Sequence, residues 1–212
     1  MLTLFEELFL LTIRDDKIVV DPPKRGKFRS GLVGAMLAEL VLQGKVKFNE
    51  AHRLELVDAT NTGDEILDKT LLDLQVSERP RKATFWVETL SSGSKKLQKR
   101  LFERLVSNGV FAREEDTLRW MIPSQVYPDK TASAKYCLKS HLRAIALADG
   151  DADVRSLTLL NLLKSSNLHK CLFTKDEQRE ARHKIHEKFV AEAFNNPAVQ
   201  GIEEILSAVA SI

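Results

Sequence analysis

Apolar residues recur three or four positions apart along most of this chain, which predicts a mainly helical protein. At the start, Thr3 and Glu6 form a capping box ahead of the apolar positions Phe5, Leu8 and Phe9, so a first helix is expected to begin there. Further helices are expected at about 31–42, from a second capping box at 62–65 to Leu74, around 85–90, and at about 95–107, 131–148, 152–165, 174–194 and 198–210.

Short stretches of alternating apolar and polar residues interrupt the helices and predict β structure. Residues 18–20 are expected to form a short strand, residues 46–57 a hairpin, and residues 110–122 a second hairpin. Each hairpin follows an amphipathic helix that ends in a glycine, Gly44 or Gly109, which is the outline of a winged helix. Helix–hairpin units that bind no ligand are the simpler interpretation.

Positive charge is concentrated in two segments. Residues 24–29 are expected to form a loop that carries four cations and no acid. Residues 95–107 form the most charged helix, on which Lys95 and Lys99 lie at the edge of the apolar face. Cations in that position suit a phosphate group at a membrane surface. The other cations of this helix are interpreted as solvated charges: Lys96, Arg100 and Arg104.

The composition is that of an ordinary globular protein. Its 212 residues are 43% hydrophobic and 29% charged, which suits one domain spanning 1–212. The formal net charge is +2, so any attraction to anionic lipid or nucleic acid must be local. Two cysteines exclude a disulfide framework and favour a reducing compartment. No apolar run suits a bilayer span and the start does not resemble a signal peptide, so we expect a cytoplasmic protein that meets membranes peripherally.

The sequence contains no recognisable catalytic, metal-binding or cofactor-binding motif. His183 and His186 lie three residues apart on a polar helix face, whereas zincin ligands lie four apart with a glutamate between them. His169 and Cys171 have no second ligand pair nearby and are interpreted as structural. The aspartates of 149–153 imitate a calcium loop without its glycine and final glutamate, and are interpreted as helix caps. We therefore expect neither an enzyme nor a cofactor.

Several blocks of the sequence resemble one known family. They follow the order and spacing of that family and cover the chain from Leu2 to about Met121. One of them, Thr62-Gly63-Asp64, is close to a Thr-Gly-Asp motif of the family. In these blocks the sequence resembles that of the Golgi phosphoprotein 3 family. The blocks are 2–11, 30–40 with 44–46, 62–68, 85–91 and 100–110.

The resemblance implies a mainly α-helical single domain with short β-hairpins and no catalysis. It also implies a peripheral membrane protein that binds phosphatidylinositol 4-phosphate and, in eukaryotic members, retains glycosyltransferases in the Golgi. The expected partners are an anionic phospholipid head group at the cytosolic membrane surface and the sorted proteins. The chain begins directly at the domain, without the basic arm of eukaryotic relatives. A prokaryotic or simplified member is therefore expected, with a Golgi location only in a eukaryote.

The resemblance also places a lipid site on particular residues. The two arginines that the family carries on its basic helix fall on Lys95 and Gln98, and an arginine of its second helix falls on Val33. The family's loop tryptophan has no equivalent here. Neighbouring cations are expected to compensate, because a lysine binds phosphate as a point charge without the bidentate fork of arginine. The expected head-group site is Lys24, Arg25, Lys95, Gln98 and Lys99.

A hydrophobic hairpin of the family dips into the bilayer or mediates self-association. The matching stretch is 112–122, and it is expected to contact the membrane or a second copy of the chain. Tryptophan favours the membrane interface, although packing of Trp120 against the core is an equal alternative. The candidate residues are Leu118, Arg119, Trp120 and Met121.

Two other functions compete with lipid binding. A winged-helix DNA-binding protein would also contain helix–hairpin units and a basic helix. The near-neutral charge and the scarcity of base-reading side chains on that helix, where Gln98 is the main exception, argue against nucleic acid as a partner. An adaptor that binds only proteins is the third possibility.

Overall fold

The computed structural model describes residues 2–12, 25–110, 128–148 and 151–212, without the side chains of 25, 94, 95, 128–132 and 195. These residues are mainly helical, as predicted, and helix packs on helix around a single core. The helices are α1 (Leu4–Thr12), α2 (Arg25–Leu42), α3 (Glu65–Val76), α4 (Ala83–Ser91), α5 (Ser94–Ser107), α6 (Pro128–Leu147), α7 (Val154–Ser165), α8 (Glu177–Asn195) and α9 (Pro197–Ser211).

Helix α1 begins where the capping box predicted. The carboxylate of Glu6 accepts hydrogen bonds from the backbone nitrogen of Thr3 at 2.8 Å and from its hydroxyl at 2.9 Å. An N-terminal amide that would lack a helical partner is thereby satisfied. The helix then buries almost its whole surface, including Leu4, Phe5 and Leu8, so it is a core element.

Helix α2 starts six residues earlier than expected, and the prediction of a basic loop at 24–29 is wrong for residues 25–29. Tertiary contacts account for the extension. Phe28 is fully buried, and its ring centroid lies 6.1 Å from that of Phe9. The Nζ of Lys27 donates a hydrogen bond of 2.9 Å to the carbonyl of Ala210 near the end of α9. These contacts stabilise two additional turns that the local pattern of polar residues does not favour.

The capping residue of α3 differs from the predicted one. Asp64, and not Thr62, is the N-cap, because its Oδ1 accepts the backbone amide hydrogens of Ile66 and Leu67 at 2.8 and 3.3 Å. Thr62 donates its hydroxyl to Asp68 at 2.7 Å and so orders the turn before the helix. Aspartate is among the best N-cap residues, and its placement leaves the second oxygen of Asp64 available to another element.

The first predicted hairpin is present. Strands β1 (Val46–Phe48) and β2 (Leu54–Leu56) pair antiparallel, with Val46 opposite Leu56 and Phe48 opposite Leu54. Gly44 has a φ of 69°, a left-handed conformation that ends α2 and turns the chain into β1. The strand expected at 18–20 and the hairpin expected at 110–122, beyond Val110, lie outside the described residues.

Helix α2 lies at the centre of the core and contacts α1, α4, α7 and α9. Gly34 permits the approach of α9, because a Cβ at this position would lie 2.5 Å from Cγ2 of Val209. Nearly every side chain from Leu32 to Val41 is buried as a result. In the ranges that the structure covers, no helix is both long enough and apolar enough to cross a bilayer.

Candidate functional site

Helix α5 carries several exposed cations and is held by an apolar stripe. Leu101 and Leu105 are fully buried, and Leu97 and Phe102 pack partly against the same core. The opposite face is polar and exposed. This amphipathic division is the one that the sequence predicted for residues 95–107.

The first turn of α5 combines an open helix end with cations. Its N-cap is Gly93, which provides no side-chain hydrogen bond, and no acid occurs in the first turn. The first amide groups of a helix point outward and carry the positive end of the helix dipole. This end of the helix is therefore electrostatically favourable for an anion.

Three of the five predicted head-group residues share one face of α5. Lys95, Gln98 and Lys99 are spaced at i, i+3 and i+4, which places them next to one another on the helix surface. Gln98 is half-buried, whereas the side chain of Lys99 is 78% exposed and its Nζ lies 3.8 Å from Glu103. The side chain of Lys95 lies outside the described atoms.

The other predicted site residues are only partly placed. Arg25 is the first residue of α2, with its side chain outside the description, and Lys24 lies outside the described residues altogether. The hairpin candidates Leu118, Arg119, Trp120 and Met121 also lie outside them. Their grouping with the α5 residues stays a prediction.

The C-terminal half of α5 behaves differently from its start, and the interpretation of Arg104 as a solvated charge is wrong. Its side chain is only 22% exposed. Its Nε donates to Oε1 of Glu6 at 2.7 Å, its Nη2 donates to Oδ2 of Asp64, and its guanidinium lies 5.5 Å from the ring centroid of Phe5. Arg104 therefore joins α5 to the N-termini of both α1 and α3.

The electrostatics of this cluster agree with its geometry. Burial opposes ionisation of Asp64, but hydrogen bonds from Arg104 and from the amides of Ile66 and Leu67 outweigh it and hold the pKa of this carboxyl below its usual range. For Arg104 the same two carboxylates outweigh the cost of burial and raise the pKa of the guanidinium. Asp64 and Arg104 are therefore both ionised at neutral pH.

Two further cations of α5 lie on its exposed side. The Nη2 of Arg100 lies 3.4 Å from Oε2 of Glu65, and both side chains are about half exposed. Lys96 is exposed and makes no ion pair with any described residue, as predicted for a solvated charge. Sequence reasoning missed the role of Arg104 because its acidic partners are 98 and 40 residues away along the chain.

The remaining residues considered for chemistry are structural or solvated. His169 is buried, and its Nε2 lies 3.0 Å from Arg182 and 3.2 Å from Gln178. Burial raises the pKa of the Cys171 thiol to about 11. His183 is exposed beside Glu187, at 3.1 Å. Over the described ranges, no group of three His, Cys, Asp or Glu side chains is arranged to hold a metal ion.

The predicted cap before α7 is confirmed for Asp153, whereas Asp149 lies outside the described residues. Asp153 is the N-cap, and its Oδ1 accepts the backbone amide hydrogen of Ser156 at 2.9 Å. The aspartate therefore stabilises the start of the helix, as is usual for this residue type.

Comparison with known proteins shows the family to which this chain belongs. The family model of Golgi phosphoprotein 3 (GPP34) matches residues 4–206, which is nearly the whole chain. The chain belongs to the Golgi phosphoprotein 3 family. It is also similar to the vacuolar protein sorting-associated protein 74 of Eremothecium gossypii, with 26% identity over 164 residues, covering 68% of this chain and 49% of that protein. The chain thus spans about half the length of this curated relative.

Proposed function

We propose that the protein is a non-enzymatic peripheral membrane adaptor that binds a phosphoinositide head group, of the phosphatidylinositol 4-phosphate type, at the start of α5. The observation that carries this proposal is the combination of an uncapped helix N-terminus with Lys95 and Lys99 one turn apart. Backbone amides and lysines together form a common type of phosphate site. Gln98, on the same face, adds a neutral hydrogen-bonding group.

The apolar surroundings favour a lipid phosphate over a soluble one. Leu97 and Phe102 are only partly buried where α5 meets the core, so apolar surface borders the cations. Such a border suits the boundary between lipid head groups and acyl chains. Lys24 and Arg25 are proposed to complete the site, and residues 118–121 to contact the bilayer or a second copy of the chain.

Family membership supports a role in sorting membrane proteins. The curated relative is named as a vacuolar protein sorting-associated protein, and a sorting adaptor needs both a membrane contact and a protein contact. We therefore propose protein partners in addition to lipid, and a Golgi location if the source is a eukaryote. Lysine in place of arginine should weaken discrimination among phosphoinositides, because lysine does not form a bidentate pair with a phosphate.

DNA binding through the first helix–hairpin unit is not favoured by the structure. In a winged helix the recognition helix precedes the hairpin and must reach the major groove. The helix that precedes the described hairpin is α2, and its residues from Leu32 to Val41 are almost all buried in the core. This first helix–hairpin unit is therefore structural.

Liposome co-sedimentation tests the lipid function. The purified protein is mixed with neutral vesicles, with phosphatidylserine vesicles and with vesicles that contain phosphatidylinositol 4-phosphate. Selective pelleting with the phosphoinositide is expected, together with a loss of about fivefold in affinity for Lys95→Ala, since one lysine near an anionic surface contributes about 1 kcal/mol.

Lys96→Ala is the matched control, because it removes the same charge from the adjacent position, which faces solvent. It is expected to pellet like the unaltered protein. Equal losses in both variants would show that only the general positive charge of α5 matters. No pelleting with any vesicle would refute the lipid function and leave a protein-only adaptor.

A further inference from the structure

Helix α1 carries two adjacent acids that meet two different arginines. Glu6 pairs with Arg104 of α5, as described above. Glu7 faces Arg155 of α7, with Oε2 of Glu7 lying 3.7 Å from Nε of Arg155. The side chains of Glu7 and Arg155 are 17% and 25% exposed, so this second contact lies largely inside the protein.

The guanidinium of Arg155 is already occupied by other groups. Its Nη1 donates to Oε1 of Glu39 at 3.0 Å, and its Nη2 donates to the carbonyl of Leu2 at 2.8 Å. Oε2 of Glu39 accepts the backbone amide hydrogen of Leu4 at 2.7 Å. Glu39 is thus the hydrogen-bonded partner of Arg155, and it is almost fully buried.

The carboxyl of Glu7, unlike that of Glu39, has no hydrogen-bonded partner among the described residues to offset the cost of its burial. The 3.7 Å separation from Nε is too long for a hydrogen bond, and this Nε is buried without a hydrogen-bond partner. The Glu7 carboxyl makes no hydrogen bond with any residue that the structure describes. An ionised carboxylate held in this way carries a large desolvation cost, which protonation removes.

We propose that Glu7 of the folded protein binds and releases a proton in the neutral pH range, so that the docking of α1 weakens as the pH rises. Burial is the main cause and raises the pKa of Glu7 to about 7, while the attraction of Arg155 opposes this shift only in part. The negative charges of Glu39, Asp153 and Glu6 raise the pKa further.

The charged groups on the helices around Glu7 do not supply the positive partner that its ionised carboxylate lacks. Arg104 is shared by the carboxyls of Glu6 and Asp64, and Arg155 is hydrogen-bonded to Glu39, so neither arginine is left to pair fully with Glu7. On the α6 side, the Nε2 of His141 lies 3.9 Å from Oδ2 of Asp153, so the partner of His141 is that aspartate and not Glu7. The charged groups that act on Glu7 are Arg155, Glu39, Asp153 and Glu6; Arg104 and His141 lie one step further away, paired with Glu6 and Asp153.

The sign of the effect on stability follows from proton uptake. The unfolded chain releases the Glu7 proton near the ordinary pKa of 4.5, whereas the folded chain keeps it up to about pH 7. Folding therefore takes up a proton between these values, and the stabilisation present below pH 4.5 is lost as the pH rises to about 7. Because α1 also contacts α5 through Glu6 and Arg104, weaker packing of α1 would also change how firmly α5, the proposed lipid-binding helix, is held. Only this last consequence depends on the proposed function.

Unfolding by urea at a series of pH values tests the inference without any lipid. The stability of Glu7→Gln is subtracted from that of the unaltered protein at each pH from 5 to 8.5, so that contributions from other groups cancel. Glutamine mimics the protonated carboxyl. The two proteins are expected to differ little at pH 5, and the variant is expected to become the more stable one above pH 7. Glu203→Gln, at an exposed position of α9, is the control and should show a constant difference.

A variant that is less stable than the unaltered protein at pH 8 would overturn the inference, because Glu7 would then be ionised and paired. Parallel stability curves would overturn it as well. If Glu7→Gln does not fold, carbon-13 NMR of the Glu7 carboxyl in the unaltered protein decides the matter. A titration midpoint near 7 supports the inference, and one near the ordinary value for glutamate contradicts it.

Discussion

The two ends of helix α5 carry the same kind of charge in opposite settings. In its second turn, Lys99 is 78% exposed and only loosely paired, and the helix terminus that precedes it is uncapped. One turn before its end, Arg104 is 22% exposed and bridges two carboxylates from other helices. Cations that are clustered in the sequence can therefore have different structural roles. The side chain of Lys99 stays exposed, whereas Arg104 connects three parts of the fold.

The largest expected effect belongs to the buried end. Arg104→Met removes the partner of Glu6 and Asp64 and leaves both carboxylates in a partly buried site. Breaking a buried ion pair from one side typically costs about 3 kcal/mol, and a loss of that order is expected in urea unfolding. Lys99→Met is the matched control at the exposed end and should change stability by less than about 0.5 kcal/mol. Equal effects would remove the distinction between the two ends.

A smaller effect, with a defined pH dependence, is expected for Asp64→Asn. Asparagine can still cap α3, but it no longer carries the charge that pairs with Arg104. A loss of about 1 kcal/mol is expected at neutral pH. The pKa of Asp64 is lowered, so its stabilisation is complete above the ordinary value of 3.8 and disappears as the pH falls through the lowered value.

Urea unfolding of both proteins between pH 2 and 7 measures this difference. The curves of Asp64→Asn and the unaltered protein should converge at the acid end. A difference that persists at the lowest pH would show that the capping hydrogen bonds, rather than the charge, were lost.

The smallest effect is expected for Arg100→Ala. Its pair with Glu65 is about half exposed on both sides, and surface pairs of this kind contribute between 0 and about 1 kcal/mol. A change within about 0.5 kcal/mol is expected in thermal or urea unfolding. A loss as large as that of Arg104→Met would mean that exposure is a poor guide to the role of a cation on this helix.

Much of the fold was predictable because its signals are local. The Thr3–Glu6 cap, the glycine that ends α2 and the first hairpin each depend on residues within a few positions of one another. The boundaries of α5 and α7 followed from apolar periodicity in the same way. Family resemblance placed the candidate lipid site on α5, and Lys95, Gln98 and Lys99 do share a helix face; their role in binding lipid stays a proposal.

The errors came where distant segments decide the outcome. Residues 25–29 look like a loop because they are basic and contain a glycine, but Phe28 packs against Phe9 and Lys27 reaches the end of α9. Arg104 looks solvated on a helical wheel, which contains no information about α1 or α3. In both cases the side chains resemble surface residues until the partner helix is known.

The sequence by itself determined the helical class, most helix boundaries, the first hairpin and the family. Only the tertiary structure decided which charges are exposed and which are paired, and it placed Glu7 beside an arginine that is already hydrogen-bonded to Glu39. The physical reason is the range of the interactions. Helix periodicity and capping act over about four residues, whereas burial and ion pairing depend on contacts between segments that folding alone brings together.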